Sequence, residues 1–476
     1  MAKAAPTWST HDRHTNNTRV AIMTEPVIVV GGGIAGLSAA WQLQRDGMDV
    51  HLYELSDKVG GKVRSSDFAG RIVDEAADAF LARVPYGIEL ATELGLVDHM
   101  ISPSARKAQV WTENGLMALP EPHVLGIPLE RSSAEALLGV EAADALEVDL
   151  ARTDPDPVRD DDTIGSLVRR RLGDRIHEAL VDPLIGAINA GDTDDLELSA
   201  SSPQILGAAN ASPSLIAALR RMKAGSDPEA PVFHSFVGGM RVLVDALATS
   251  LDGAITTGVG VDALDRLPGG AVQVALSNGE VIAASAVILA CPAPAAAELT
   301  TEWPDASVDL AAIPLVSVTL VALAYPAGTV QVPSELSGFV VPRNADLKIT
   351  ACSYGMQKWP HLGGDVDLLR VSVGHGRDQE TPALPDDELL AVILADLETA
   401  IGITAEPSDV RISRWDRAFP QYVVGHTERL GHIEGQLNPD GVFLAGMGYR
   451  GIGIPACIAQ GRSAGVDAIL HVLEHR

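Results

Sequence analysis

A chain of 476 residues is long enough for about three domains of roughly 150 residues each. Its 63 acidic and 35 basic residues leave a formal charge of −28, which argues against a nucleic-acid binder, because such a protein meets phosphates with a basic face. Apolar residues at 46% are too many for a disordered chain, and aromatics at 4% leave the cores to Ala, Val, Leu and Ile.

Residues 1–23 are polar, lack the apolar stretch of a signal peptide, and read as a disordered extension, so a reducing cytoplasm is the default location. Residues 26–30 suit a buried parallel strand. A glycine-rich turn, a helix over 37–45 and a strand over 49–54 complete a βαβ unit. A helix is expected over 86–95, then a strand over 108–111 leading into a hairpin at Asn114-Gly115. The acidic stretch 130–162 reads as an exposed linker or helix start. Helices over 163–172 and 174–181 surround Arg169, Arg170 and Arg171, a run that reads as a solvated helix face. Strands are expected over 271–276, 281–290 and 315–324, and β-rich stretches over 338–352 and 368–373. An amphipathic helix over 385–400, a strand over 441–445, a glycine-rich loop and a helix over 459–474 close the chain. The longest apolar stretch, 281–297, is broken by Pro292 and Pro294 and does not read as a membrane span. Cys291, Cys352 and Cys457 lie far apart without CxxC spacing, which argues against a zinc site or a disulfide framework.

Gly31-x-Gly33-x-x-Gly36 follows an apolar strand and opens a helix, and Glu54 ends the next strand. Glycines there permit a tight turn and close backbone approach to a pyrophosphate. The helix N-terminus offers unpaired N–H groups and partial positive charge to that anion. Glu54 is placed to accept hydrogen bonds from ribose hydroxyls. The pattern points to an adenine dinucleotide without separating NAD from FAD.

Gly60-Gly61-Lys62 comes next, and Gly446-Met-Gly448-Tyr-Arg-Gly451-Ile-Gly453-Ile454-Pro455 lies near the C-terminus. These resemble the flavoproteins of the amine oxidase and protoporphyrinogen oxidase superfamily. In that superfamily the first turn lies under the cofactor, with its basic residue near the phosphates or ribose, and the second loop closes over pyrophosphate and flavin. Four stretches are similar to the porphyrinogen oxidases within it: residues 181–192 with Leu198-Ser199; residues 236–247, opening Phe236-Val-Gly238-Gly239; Trp415, Pro420-Gln-Tyr422 and Gly425-His426; and residues 451–458 with Gly461. The resemblance runs from about residue 26 to the end and is strongest to the actinobacterial-type coproporphyrinogen III oxidases. One departure is Ala76, which stands where the family has glycine beside the flavin; it touches flavin affinity and not the fold.

The resemblance implies an α/β fold in three parts. These are a discontinuous Rossmann-like FAD-binding domain (24–83, 231–300, 411–476), a mixed-sheet substrate domain (84–114, 301–410) and a helical domain with its connecting segment (115–230). It implies non-covalent FAD held by Gly31, Gly33, Ile34, Ala35, Gly36, Glu54, Gly60, Gly61, Lys62, Ala77, Val261, Trp415, Gly446, Gly453, Ile454 and Pro455. The implied substrate is a tetrapyrrole met by Arg83, Arg106, Lys107 and Asn189, with O₂ as acceptor giving H₂O₂. Downstream haem-synthesis enzymes are possible partners, and membrane contact is at most peripheral. Protoporphyrinogen oxidation, amine oxidation and a GDP-dissociation-inhibitor-like carrier are the competing readings. Against amine oxidation, no lysine occurs between Lys223 and Lys348, where many amine oxidases carry one on a long strand. No catalytic side chain or metal ligand is assigned; His375 and His426 read as structural loop histidines, and Cys457 as a packing residue.

Overall fold

Val27–Val30 is buried on both faces because it is the central strand of a five-stranded parallel sheet. The order is Ile255–Thr257, Val50–Glu54, Val27–Val30, Ala286–Leu289, Val442–Leu444. Val27 pairs with Val50 on one side and Ala286 on the other, so segments far apart in sequence build one cofactor sheet. This computed structural model describes residues 25–475 except 226, 228, 229, 252, 268 and 269, and the expected extension over 1–23 lies outside the described residues.

Helices Ile34–Arg45 and Ile454–Glu474 pack together over one face of this sheet. They approach closely because Gly461 and Gly465 face Ala35 and Ala39; a Cβ on Gly461 would overlap the Ala35 carbonyl oxygen. The last helix begins at Ile454, five residues before the expected start, with Pro455 in its first turn, where a missing N–H costs nothing. On the other face lie a three-stranded antiparallel sheet and the helices Ala293–Leu299, Pro304–Ala311 and His426–Leu437. The expected strand 281–290 splits at Ser285, whose N–H donates to Pro26 O at 3.0 Å. Val281–Ala284 joins the antiparallel sheet and Ala286–Leu289 the parallel one.

A seven-stranded mixed sheet forms the second unit. Its order is Asp409–Pro420, Leu315–Pro326, Val366–Val373, Ile349–Tyr354, Leu336–Val340, Lys107–Thr112, Gly115–Ala118. The hairpin turns at Asn114-Gly115 as expected, with Gly115 at φ +91°. Helix Asp386–Ile401 covers the sheet through Leu389, Ile393 and Leu397. Asp409–Pro420 was legible to no apolar pattern, because five of its residues are charged; it is an edge strand, where charge is tolerated. The segment 411–476, expected in the FAD-binding domain, therefore begins inside the mixed sheet.

Helices between Arg131–Leu138 and Leu215–Ala224 enclose a separate aliphatic core. Here the reading of Arg169–Arg171 as a solvated face is corrected. Arg169 pairs with Asp174, Glu178 and Asp194, and Arg170 pairs with Asp156 and Asp162. Arg171 has no side-chain exposure and lies 2.7 Å from Asp156. A buried guanidinium demands paired carboxylates. Asp149, Asp156 and Asp162 come from the acidic stretch just upstream, which is thus part of the core wall.

Candidate functional site

The glycine loop after Val27–Val30 holds glycines with different duties. Gly31 has φ +106°, and a Cβ there would meet Ala290 O at 2.9 Å; one on Gly36 would overlap the carbonyl of Gly31. Both are required by the fold. Gly33 has an ordinary extended backbone, and a Cβ there would meet nothing within 4 Å. It therefore faces open space at the N-terminus of Ile34–Arg45, whose first residues Ile34 and Ala35 are buried. The Glu54 carboxylate accepts from Gly32 N–H at 2.7 Å and from Ser56 N–H at 2.8 Å, which ties the end of its strand to the loop. Val259 N–H donates to Glu54 O at 3.2 Å, whereas Val261 pairs with Leu276 at the start of the antiparallel sheet.

The Gly-Gly-Lys turn docks on this loop. Gly60 N–H donates to Gly32 O at 2.8 Å, and a Cβ on Gly61 would stand 3.3 Å from Gly33 Cα. Lys62 is half-buried and, among the described residues, has no hydrogen bond or ion pair. Burial pushes its pKa down, and its electrostatic neighbour is the Cys457 thiol, itself pushed up to about 12 by burial. A desolvated ammonium without a carboxylate is a ready partner for an anion. Cys457 sits in the first turn of Ile454–Glu474, so that helix start and Lys62 share one corner. Gly446, at φ +132°, stands beside Ala35, and Gly453 caps the helix with Pro455 Cδ at 3.8 Å as the nearest atom to a Cβ there. Two helix N-termini, one unpaired cation and a wall of glycine backbone converge in this cradle.

Trp415, on the strand Asp409–Pro420, flanks it: Nε1–H donates to Glu75 O at 3.1 Å, and Arg64 lies 5.8 Å above the ring. Ala76 and Ala77 follow Glu75. Ala76 does not adopt a left-handed backbone, so its methyl group imposes no backbone strain. Asp74 and Asp78 bracket this segment. Asp74 accepts from Ser65 Oγ at 2.5 Å and Met240 N–H at 2.8 Å, and burial pushes its pKa up to about 6. Burial alone would also raise Asp78, but Lys358 at 2.9 Å and Arg370 at 3.4 Å hold it well below the carboxylate range. Asp74, Asp78 and Arg370, with Ser235, His361 and the apolar Val73 and Leu368 among others, line a mixed cavity of about 20 Å³, room for one water. Aspartates spaced four apart beside two strands gave no sequence signal of this pairing.

The profile described as flavin containing amine oxidoreductase matches residues 34–469. The chain belongs to this family. It is similar to the coproporphyrinogen III oxidase of Bacillus subtilis, 32% identical over 466 residues, covering 94% of this chain and 98% of that protein. It is 34% identical over 452 residues to the coproporphyrinogen III oxidase of Mycobacterium leprae, covering 91% and 96%. Among solved structures, a protein from Exiguobacterium sp. 255-15 assigned as a protoporphyrinogen oxidase superposes with a TM-score of 0.83 at 29% identity, covering 95% and 99%.

As a member of the flavin amine oxidoreductases, the chain takes FAD as cofactor. The cradle fits it: Gly33, Gly61, Gly446 and Gly453 leave the approach open, Lys62 supplies a cation, and Glu54 ends the strand beside the loop.

The four expected substrate residues do not form one cluster. Arg83 is exposed and donates to Gln204 on the helix Pro203–Ala211, with no carboxylate partner among the described residues. Arg106 is exposed and donates to Ala230 O at 2.5 Å. The segment beside Arg83 reaches the same stretch, since Ala82 N–H donates to Val232 O at 3.0 Å. Lys107 is exposed at the head of its strand, paired with Leu336. Asn189 is buried; its side-chain N–H donates to Ile185 O at 2.9 Å, and its carbonyl accepts from Gln421 at 3.1 Å.

Proposed function

We propose that this chain oxidises coproporphyrinogen III to coproporphyrin III in haem biosynthesis. The observation that carries the reading is near full-length similarity, above 30% identity, to relatives named for that reaction. A plant relative named protoporphyrinogen oxidase 2 matches at 26%, which makes the protoporphyrinogen the second reading. Amine oxidation is disfavoured by Leu315–Pro326, which carries no lysine and buries Val316, Val318 and Val321.

FAD, when bound, accepts hydride from an electron-rich pyrrole substrate. A porphyrinogen carries six more hydrogens than its porphyrin, so three molecules of O₂ would leave as three of H₂O₂. The chain's own part is to bind and orient. Lys62 and the two helix starts would hold the phosphates, Glu54 would accept from the ribose, and the Trp415–Glu75 hydrogen bond fixes the segment carrying Ala76 and Ala77. Arg83 is the cation we assign to a propionate, because among the described residues its planar fork has no carboxylate partner. Among the described residues no helix is long and apolar enough to cross a membrane. The charge of −28 opposes adsorption to anionic lipid, in keeping with a cytoplasmic enzyme that passes its product to later haem-synthesis steps.

Arg83→Ala tests the substrate side: KM for coproporphyrinogen should rise about tenfold, roughly 1.4 kcal/mol, with flavin content unchanged. Wild-type KM and kcat would remove Arg83 from the site. Oxygen uptake measured with porphyrin formation should give three O₂ per porphyrin.

A further inference from the structure

The loop Gly446–Gly453 joins the last strand of the cofactor sheet to the helix whose N-terminus meets Lys62, so its shape sets where that helix start lies. It is held from outside by two residues of the segment after Asp409–Pro420. Tyr422 OH donates to Met447 O at 2.6 Å and accepts from Gly451 N–H at 2.9 Å, bridging the loop at two points. His426 Nε2 lies 2.7 Å from Tyr449 O, a donor's position, so its Nδ1 is the unprotonated nitrogen; that atom is buried without a partner. The two rings stack at 4.1 Å and 18°. Both side chains are buried. The clamp is anchored in turn: Glu197 N–H donates to Tyr422 O at 2.7 Å, and the Glu197 carboxylate accepts from Thr427 N–H at 3.2 Å.

We infer that Tyr422 and His426 are positioning residues that preform the loop Gly446–Gly453 for the cofactor, acting through its backbone. The inference rests on flavin binding in this cradle and not on which porphyrinogen is oxidised. A phenyl ring at 422 keeps the stack and the packing and loses the bridge alone. The alternative is that both residues serve only as core packing.

The test titrates apoprotein variants with FAD, followed by flavin fluorescence, and records apoprotein thermal midpoints alongside. Tyr422→Phe should raise the FAD Kd about tenfold while leaving the apoprotein midpoint within about a degree of wild type. His426→Ala should raise the Kd similarly, and the space left by the buried imidazole should lower the apoprotein midpoint as well. His426→Gln, which restores an N–H donor at a similar reach, should recover most of the affinity. Wild-type affinity in Tyr422→Phe would overturn the inference. So would affinity lost in Tyr422→Phe only in step with its apoprotein stability, failure of Tyr422→Phe to fold, or His426→Gln no better than His426→Ala. A normal outcome here in a protein that turns over no coproporphyrinogen would sink the substrate reading alone.

Discussion

Gly33 and Gly36 stand in one loop, and the backbone gives them separate duties. A Cβ on Gly36 collides with the chain itself, so Gly36→Ala should destabilise the apoprotein by about 1–3 kcal/mol, the usual cost of overpacking. A Cβ on Gly33 meets no protein atom, so Gly33→Val should leave apoprotein unfolding unchanged and abolish FAD binding. A Gly33→Val protein purified with full flavin would remove the dinucleotide from this loop. Glu54 was legible from its place at the end of the second strand, but its bond to Gly32 N–H was not, because that contact depends on how the loop folds back. Glu54→Ala should therefore weaken FAD by about 1.5–3 kcal/mol, read as a rise in Kd. An unchanged Kd would deny it the ribose role. Asp74 offers a pH test. Its folded pKa is about 6 against an ordinary 3.8, so the folded chain holds that proton more tightly. Its favourable contribution is full below about pH 4 and is lost as pH rises through 6. Asp74→Asn keeps an oxygen for Ser65 and Met240 and removes the buried charge. It should be more stable than wild type near pH 7.5, by roughly 2–3 kcal/mol, with the gap closing near pH 4. A gap independent of pH would contradict this.

At the scale of elements, the two helices of the cradle meet at Gly461 and Gly465, and Gly461 makes the tighter contact. Gly461→Ala would drive a methyl group into the Ala35 carbonyl and part the helix starts. We expect about 1–3 kcal/mol of lost stability together with weaker FAD binding, seen as a lower Tm and a higher Kd. Stability lost with wild-type FAD affinity would mean that helix spacing does not govern the cradle. The cofactor strands and glycine loops were legible because periodic apolar runs and glycine spacing are local signals. The edge strand Asp409–Pro420 was not, since its partner Leu315–Pro326 lies far away in sequence and its charges mask alternation. The Arg169–Arg171 run misled for a related reason: its carboxylates arrive only through the tertiary fold. The expected substrate residues were the least legible, because Arg83, Arg106, Lys107 and Asn189 lie in separate surroundings that no local spacing relates.

Across the whole molecule, the cofactor sheet, the mixed sheet and the helical unit meet around the segment 74–78 and the loop Gly446–Gly453. Trp415 reaches from the mixed sheet to Glu75, and Glu197 from the helical unit to Tyr422. The first glycine loop points to an adenine dinucleotide from sequence, the resemblance implies FAD, and the fold brings Lys62 and the two helix starts to one corner. Substrate choice separates the coproporphyrinogen reading from the protoporphyrinogen one. The direct measurement is kcat/KM of the purified holoprotein for coproporphyrinogen III and protoporphyrinogen IX, side by side under air, followed by porphyrin fluorescence. We expect at least tenfold preference for coproporphyrinogen III. Equal or greater kcat/KM for protoporphyrinogen IX, or no porphyrin from either, would contradict it.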